Sequence, residues 1–207
     1  MRRSSLIIGV VIAAACGRSA DASFIPLDLR NAPDILSGFI DVSYDAPSNE
    51  FSVEGFALRL NDGQGPAHNI ANGSFAITAT IDETGTAVGG TLDIGGGVAG
   101  FGPSLLTASF IGFGFDPGGG TLLELLFEVT GGDLAPDYGG AGALVGVILD
   151  MVGGGYSGDF TRSFDNLISG AAGTGRGVSD TAPLIPGPPV AALLLLGGLR
   201  RRRSRAR

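Results

Sequence analysis

Short apolar runs separated by glycine-rich polar stretches recur through the middle of this chain. Alternation is clearest where Phe75, Ile77 and Ile81 are separated by alanine and threonine, which is the pattern of a strand buried on one face. Two runs, 122–127 and 141–151, also fit a short helix, but β-branched residues and flanking glycines favour strands. The apolar runs predict eight strands, at residues 38–44, 51–60, 74–81, 90–94, 105–115, 121–130, 143–151 and 158–164.

Strong turn formers lie between the predicted strands, for example at residues 61–63. Glycine supplies the positive φ that many turns require, and Asp or Asn hydrogen-bonds to the nearby backbone. Closely spaced strands of this kind predict an all-β fold, a single β-sandwich or jelly-roll-like domain of about eight strands over residues 23–168. The stretch that leads to the C-terminal prolines is rich in glycine and alanine, and residues 169–182 predict a flexible spacer.

Residues 1–22 have the parts of a secretory signal peptide. Arg2 and Arg3 supply the positive charge, and the apolar stretch that follows is about 10 residues long, too short for a permanent membrane span. Small Ala20 and Ala22 suit the shallow pockets of signal peptidase. We therefore expect cleavage after Ala22.

Two other export routes also fit the N-terminal segment. Three alanines precede Cys16 and a glycine follows it, which resembles a bacterial lipobox, in which the cysteine is acylated and becomes the mature N-terminus. The position three before that cysteine is usually a larger aliphatic residue, whereas here it is Ala13. The arginine pair also fits twin-arginine export, although Ser4 and Ser5 follow it in place of a stronger hydrophobic signal.

The C-terminal segment, residues 183–207, combines prolines, a short apolar run and terminal arginines. Because prolines interrupt helices, only residues 190–199 can form an uninterrupted short hydrophobic helix. At a rise of about 1.5 Å per residue this run covers about 15 Å, half of the ~30 Å hydrocarbon core. By the positive-inside rule the terminal cluster would stop transfer and stay cytoplasmic. The cluster consists of Arg200, Arg201, Arg202, Arg203, Arg205 and Arg207.

This order of parts resembles the PEP-CTERM-type sorting tail of bacterial surface proteins. The proline-containing motif is formed by Ile185, Pro186, Gly187, Pro188 and Pro189. The signature glutamate between the prolines is absent, and Gly187 stands in that place, so the tail resembles a variant of the class. The resemblance implies transient membrane insertion of the tail and recognition by a membrane enzyme called exosortase. It also implies a cell-surface or extracellular-matrix protein associated with exopolysaccharide and biofilm.

Charge is distributed unevenly along the chain, whose formal net charge is −7. Between the two terminal segments, residues 23–181 keep nineteen acidic side chains and four arginines, a net charge near −15. Such a surface repels nucleic acid and attracts divalent cations or basic partners. Lysine is absent and Cys16 is the only cysteine, which excludes lysine chemistry, disulfides and cysteine-based metal sites from the exported domain.

The sequence offers no arrangement typical of an enzyme. His68 is the only histidine and lies in a predicted loop, and no Gly-x-Ser-x-Gly motif accompanies it. Glu124 and Glu128 would lie about 13 Å apart on one strand face, too far for either mechanism of glycoside hydrolysis. We therefore predict that the protein is not an enzyme and that it needs no cofactor other than a structural ion.

Calcium is the ion that the turn residues favour, because Ca²⁺ takes oxygen ligands from Asp, Asn and backbone carbonyls in glycine-rich loops. We expect a structural Ca²⁺ site among Asn61, Asp62, Asp116 and Asp133. Ordinary turn capping by the same side chains is the alternative.

Together these features predict a non-enzymatic, exported, acidic protein of the cell surface or extracellular matrix. Its expected partners are signal peptidase, an exosortase-like enzyme, the membrane through the C-terminal segment, and exopolysaccharide. One alternative is an extracellular carbohydrate-binding module or carbohydrate-active enzyme. The chain has no tryptophan and only three tyrosines, and this scarcity of rings on which a sugar could stack weighs against the alternative. Another alternative is an envelope protein that keeps its tail as a permanent anchor.

Overall fold

The computed structural model describes residues 24–25, 27–98, 100–153, 156–167 and 175–185. The predicted signal peptide, Cys16 and the tail from Pro186 onward lie outside the described residues. The described residues form strands joined by turns, which confirms the predicted all-β class. The strands are β1 (Asp34–Asp45), β2 (Glu50–Asn61), β3 (His68–Asn69), β4 (Ala71–Ile81), β5 (Ala87–Gly97), β6 (Ser104–Phe115), β7 (Leu122–Gly131), β8 (Leu144–Asp150), β9 (Phe164–Asp165) and β10 (Gly177–Pro183).

Eight of these strands close into an antiparallel barrel in the order β1-β2-β4-β5-β6-β7-β8-β10. Closure follows because β1 pairs with β2 on one side and with β10 on the other. The two short strands, β3 and β9, pair with β2 and β1 respectively. The predicted number of about eight strands is confirmed, but the predicted sandwich or jelly roll is wrong. A strand that joins the two edges converts an open sheet into a barrel and removes both edges.

The closing strand, β10, lies where the sequence predicted a flexible spacer. The predicted spacer 169–182 is therefore wrong over residues 177–182, and the folded domain extends past the predicted boundary at residue 168. Ser179 and Thr181 point into the barrel and are buried, while Val178 and Asp180 are exposed. Because the buried positions are polar, the strand carries no alternation of apolar residues by which it could be recognised.

Seven of the eight predicted strands are confirmed, with small shifts at their ends. The predicted strand at 158–164 is wrong, because in this region only Phe164–Asp165 forms a strand, which pairs with β1. The turns before it bring the ring of Phe160 to within 5.1 Å of Tyr44 and 4.9 Å of Phe115, measured between ring centroids. Phe160 therefore helps to plug the barrel instead of lying in its wall.

The inner face of the barrel follows the predicted alternation, since Phe75, Ile77 and Ile81 are all buried. Both segments for which a helix was the alternative form strands, β7 and β8. Aromatic rings in edge-to-face, stacked or tilted contact fill much of the interior, and these rings belong to Tyr44, Phe51, Phe110, Phe113, Phe115, Phe127, Tyr156, Phe160 and Phe164. Such burial is the main source of stability in a chain without disulfides.

The loops between strands lie at the two ends of the barrel. We call them the Asp34 end and the Asp45 end, after the first and last residues of β1. Because neighbouring strands are antiparallel, β6 ends at the Asp45 end and β7 ends at the Asp34 end. This alternation decides which loop residues can meet.

Candidate functional surface

The structure does not bring the four predicted calcium ligands together. Asn61, Asp62 and Asp133 lie at the Asp34 end, whereas Asp116 follows β6 at the Asp45 end. Their oxygens accept backbone N–H groups, from Gly63 at 3.1 Å, Gln64 at 2.8 Å, Gly102 at 2.7 Å and Gly118 at 2.8 Å, in the order Asn61, Asp62, Asp133 and Asp116. Within the described ranges, no group of three or more His, Cys, Asp or Glu is suited to hold a metal ion. Each of the four side chains therefore caps a turn or loop, which is the alternative that the sequence offers to a calcium site.

The residues considered for catalysis are also separated. His68 lies on β3, and its Nε2 is 3.5 Å from Asp62 Oδ2, with both side chains exposed. Glu124 and Glu128 share the outer face of β7, as predicted, but only Glu128 is exposed. Burial raises the pKa of Glu124, and a hydrogen bond from the Ile25 backbone N–H opposes that rise. Glu124 is therefore a carboxyl covered by another part of the chain.

The part that covers Glu124 is formed by residues 24–25 and 27–30, which we call the N-terminal strap. It lies across the outer faces of β6, β7 and β8, where Gly112, Gly114 and Gly146 leave room for it. A Cβ on Gly114 would come within 2.5 Å of the Ile25 nitrogen, and one on Gly146 within 2.6 Å of Leu29 Cδ2. Glycine at these positions lets the strap lie directly on the sheet.

The strap also pairs with the residues that follow β10. Leu29 and Leu184 form an antiparallel bridge. The Arg30 N–H donates to Pro183 O at 2.9 Å, and the Ile185 N–H donates to Asp28 O at 2.8 Å. The first residue of the predicted sorting motif is therefore hydrogen-bonded to the N-terminal strap.

Acidic side chains surround the Asp45 end, among them Asp45, Glu50, Asp82, Glu83 and Asp165. Asp45 and Asp82 cap turns, since they accept hydrogen bonds from the Ser48 and Thr84 hydroxyls. Hydrogen bonds from the Thr84 side chain and from the Thr86 and Thr84 backbone lower the pKa of Asp82. This end is strongly negative, and its clefts are shallow.

The outer faces of β10, β1 and β2 carry the largest exposed apolar side chains near one another. Phe39 is 62% exposed, Phe56 52%, Val178 44% and Leu36 43%. Val178 and Phe56 are the register partners of Gly38 on either side, and half-buried Leu58 lies over that glycine. We call the side chains of Leu36, Phe39, Phe56, Leu58 and Val178 the bare flank.

Phe39 has an unusual backbone conformation. It lies in a β-bulge at which β1 shifts register against both β2 and β10. Its φ of 54° is in the left-handed region, which costs a residue with a side chain about 1–2 kcal/mol and normally favours glycine. The ring of Phe39 gains little burial in return for this strain, so the stability of the single barrel does not explain why the residue is a phenylalanine.

Two carboxyl groups lie together at the edge of the bare flank. Asp34 hydrogen-bonds to Asp180 across the β1–β10 pair. Burial raises the pKa of Asp34 to about 7, and the hydrogen bond and the charge of Asp180 add to the rise. In the described part of the chain, no ion pair to an arginine relieves this pair.

The fold and these surfaces define an all-β closed barrel with one covered and one exposed apolar flank. Comparison with protein-family models, with curated proteins and with solved structures gives no significant match. The described part of the chain contains no helix with the length and apolarity needed to cross a membrane.

The bare flank is hidden in the sequence if every apolar run is interpreted as core. Alternation counted from Phe51 and Val53, which face inward, already puts Phe56 on the outer face. The adjacent pair Phe39 and Ile40 breaks the two-residue period and could have indicated a bulge. The residues that lie side by side on neighbouring strands can be identified only from the strand pairing.

Proposed function

We propose that this chain is a non-enzymatic exported protein, and that an exosortase-like enzyme sorts its barrel to the cell surface or matrix through the C-terminal tail. The observation that carries the proposal is the order of motif, apolar run and arginines in residues 185–207. The barrel adds a physical constraint, because hydrogen bonds continue through Ile185. A sorting enzyme would therefore meet its motif directly beside a folded domain.

The distribution of titratable groups supports a role without catalysis. Asp34 and Glu124 have raised pKa values, but they lie on different outer flanks, at Asp180 and beneath Ile25. Asp34 and Glu124 therefore do not share one cleft, as an acid and a base of one reaction must. Tyr138 is buried and its hydroxyl donates to Thr181 O at 3.0 Å. Burial, and then the charges of Asp34 and Asp180, raise the pKa of Tyr138.

The carbohydrate-binding alternative gains no support from the tyrosines. Tyr44, Tyr138 and Tyr156 are all buried, so their rings are not available for stacking on a sugar.

The intact mass of the mature protein, purified from the cells that produce it, tests the proposal. We expect a chain that begins at Ser23 and ends between Ile185 and Val190, because sorting removes the apolar run and the arginines. A mass that includes Arg207 would contradict sorting and support the permanently anchored alternative. A mass that corresponds to an acylated Cys16 at the N-terminus would replace signal-peptidase cleavage by lipoprotein processing.

A matched pair of variants separates sorting from nonspecific proteolysis. Replacing Arg200, Arg201, Arg202 and Arg203 by glutamine removes most of the stop-transfer charge, and we expect loss of the processed species. Replacing Arg162 and Arg176 by glutamine removes arginines from the domain and leaves the tail intact, and we expect normal processing. Equal processing of both variants would contradict the proposal.

A further inference from the structure

We propose that the bare flank is the contact surface for a second copy of this chain, in a symmetric dimer whose twofold axis runs along β1. The proposed contact is made by residues of the barrel alone. It rests on the arrangement of charges around the apolar side chains.

Three rows of outward-facing residues cross β10, β1 and β2. The first row is Asp180, Leu36 and Arg59, and the second is Val178, Gly38 and Phe56. In the third row Asp41 pairs with Glu54. Arg176 precedes Gly177, the partner of Ile40, and its exposed side chain lies on the β10 side of this third row.

A twofold axis along β1 brings each β10 residue opposite the β2 residue of the same row in the other copy. Asp180 then faces Arg59 of the second copy, Arg176 faces Glu54, and Val178 faces Phe56. These three pairs are complementary, and each occurs twice by symmetry, whereas Asp41, on the axis, faces Asp41 of the second copy. Leu36 and Phe39 lie near the axis and meet their own copies, which is the geometry of an isologous interface.

Arg59 and Arg176 form no ion pair with any residue that the structure describes. On the acidic side, Asp180 shares a hydrogen bond with Asp34 in place of a cation. A second copy places its Arg59 opposite Asp180 and its Arg176 opposite Glu54. An arginine is the partner that adjacent carboxyls favour. Asp41, on the axis, accepts a hydrogen bond from the Gly175 N–H of its own chain.

The strained Phe39 fits the same interpretation. Its ring projects from a bulge at the centre of the flank, where it gains little burial in one chain. Aromatic side chains at the centre of a contact are the residues that contribute most to association. The dimer therefore gives the strain at Phe39 a function.

The size of the surface predicts the strength of the contact. Three strands about 4.8 Å apart form a strip about 15 Å wide. A strip of this width buries less area than the interface of a typical stable dimer. We therefore expect a dissociation constant in the micromolar range or weaker. Association should be measured at tens of micromolar and above.

Complementary charge reversal tests the proposal by sedimentation velocity of the full chain. We expect Arg59→Glu and Asp180→Arg each to weaken self-association at least tenfold, because each variant places like charges opposite each other. Mixed together, the two variants should associate. In the mixed dimer the two introduced side chains face each other with opposite charges, and so do the unchanged Asp180 and Arg59. Arg162→Glu, at the Asp45 end, is the matched control and should associate like the parent chain.

A cross-link provides a second test that does not alter charge. Because facing sheets lie about 10 Å apart, Leu36→Cys on the axis should be joined to its copy by a short bifunctional maleimide. Val88→Cys is the control, since Val88 is also exposed but lies on β5. Both variants also carry Cys16→Ser, so that the introduced cysteine is the only thiol. Unfolding curves of all variants verify that each one folds.

Three results would overturn the proposal. One is association that persists unchanged in Arg59→Glu, since contacts through the apolar tail would behave in that way. The second is a mixture of the two reversal variants that stays monomeric. The third is an introduced cysteine in Leu36→Cys that is protected from labelling in a monomeric chain, which would mean that the tail or another molecule covers the bare flank.

Discussion

The two apolar flanks of this barrel differ in their exposure to solvent. On β6 and β8, glycines remove side chains from the outer face, and the N-terminal strap covers these strands and β7 between them. On β10, β1 and β2, the outer face keeps large side chains and the described residues leave it open. The same fold therefore contains one flank built for contact within the chain and one suited to contact between chains.

The difference shows how small residues and large residues direct contacts. At Gly114 the strap backbone lies closer than any side chain would permit, so the fit is specific to this segment. At the bare flank, Phe39 and Phe56 project outward instead of leaving a groove. Projecting aromatic rings need a partner surface of similar shape, which a symmetric copy provides.

Of the changes on the two flanks, closing the glycine groove is expected to have the largest effect. We expect Gly114→Val to lower the free energy of unfolding by about 3 kcal/mol, because its side chain displaces Ile25 and uncovers the apolar residues of the strap. Gly89→Val is the matched control, since a Cβ there meets nothing within 4 Å. Urea denaturation measures both, and an equal loss in the two variants would show that the strap contributes little.

A smaller effect, on pH dependence, comes from the carboxyl pair beside the bare flank. Since the folded-state pKa of Asp34 is about 7 and the ordinary value is 3.8, the folded state holds this proton more tightly. This contribution to stability is complete below pH 3.8 and is lost as the pH rises to about 7. We expect Asp34→Asn to reduce that loss and to stabilise the protein at neutral pH by about 1 kcal/mol, after allowance for partial exposure.

Urea midpoints of the parent chain and of Asp34→Asn between pH 4.5 and pH 8 measure this effect. Asp137→Asn is the control, because it removes an exposed carboxylate from the loop after β7, at the same end of the barrel. A parent chain that gained stability between pH 4.5 and pH 7 relative to Asp34→Asn would contradict the assignment.

The smallest effect is expected at Phe39. Replacing it by glycine relieves the left-handed strain but adds flexibility to the unfolded chain, so we expect a change in unfolding free energy of less than about 1 kcal/mol. Phe75→Ala, in the core, should cost about 3–5 kcal/mol. If Phe39→Gly were as costly as Phe75→Ala, Phe39 would be a structural residue of the monomer.

Much of the barrel was predictable because its walls are apolar on one face. The alternation at Phe75, Ile77 and Ile81 carried enough information to identify β4 without any structure. The closing strand β10 was not predictable, since it buries Ser179 and Thr181 opposite Ser37 and Ile35. Small polar residues in a buried strand resemble a loop in the sequence. The pairing of β1 with β10 also joins distant parts of the chain, so no local pattern indicates it.

The candidate surface was harder to predict than the fold. Outward positions of Phe56 and Val178 follow from strand period once the strands are known. Their proximity does not, because it depends on the register of both strands with Gly38. The residues predicted to bind calcium are divided for a related reason. Asp116 lies at the opposite end of the barrel from Asp133, although both follow a strand and look alike in the sequence.

The rate at which an introduced cysteine reacts with a small maleimide, measured at low and high protein concentration in a Cys16→Ser background, tests the contrast between the two flanks most directly. For Leu36→Cys we predict rapid labelling when the protein is dilute and slow labelling when it is concentrated, because a second copy then covers the flank. For Leu27→Cys we predict slow labelling at both concentrations, because the strap holds that residue against Gly146. Labelling of Leu36→Cys that does not depend on concentration, together with equally rapid labelling of Leu27→Cys, would contradict the account.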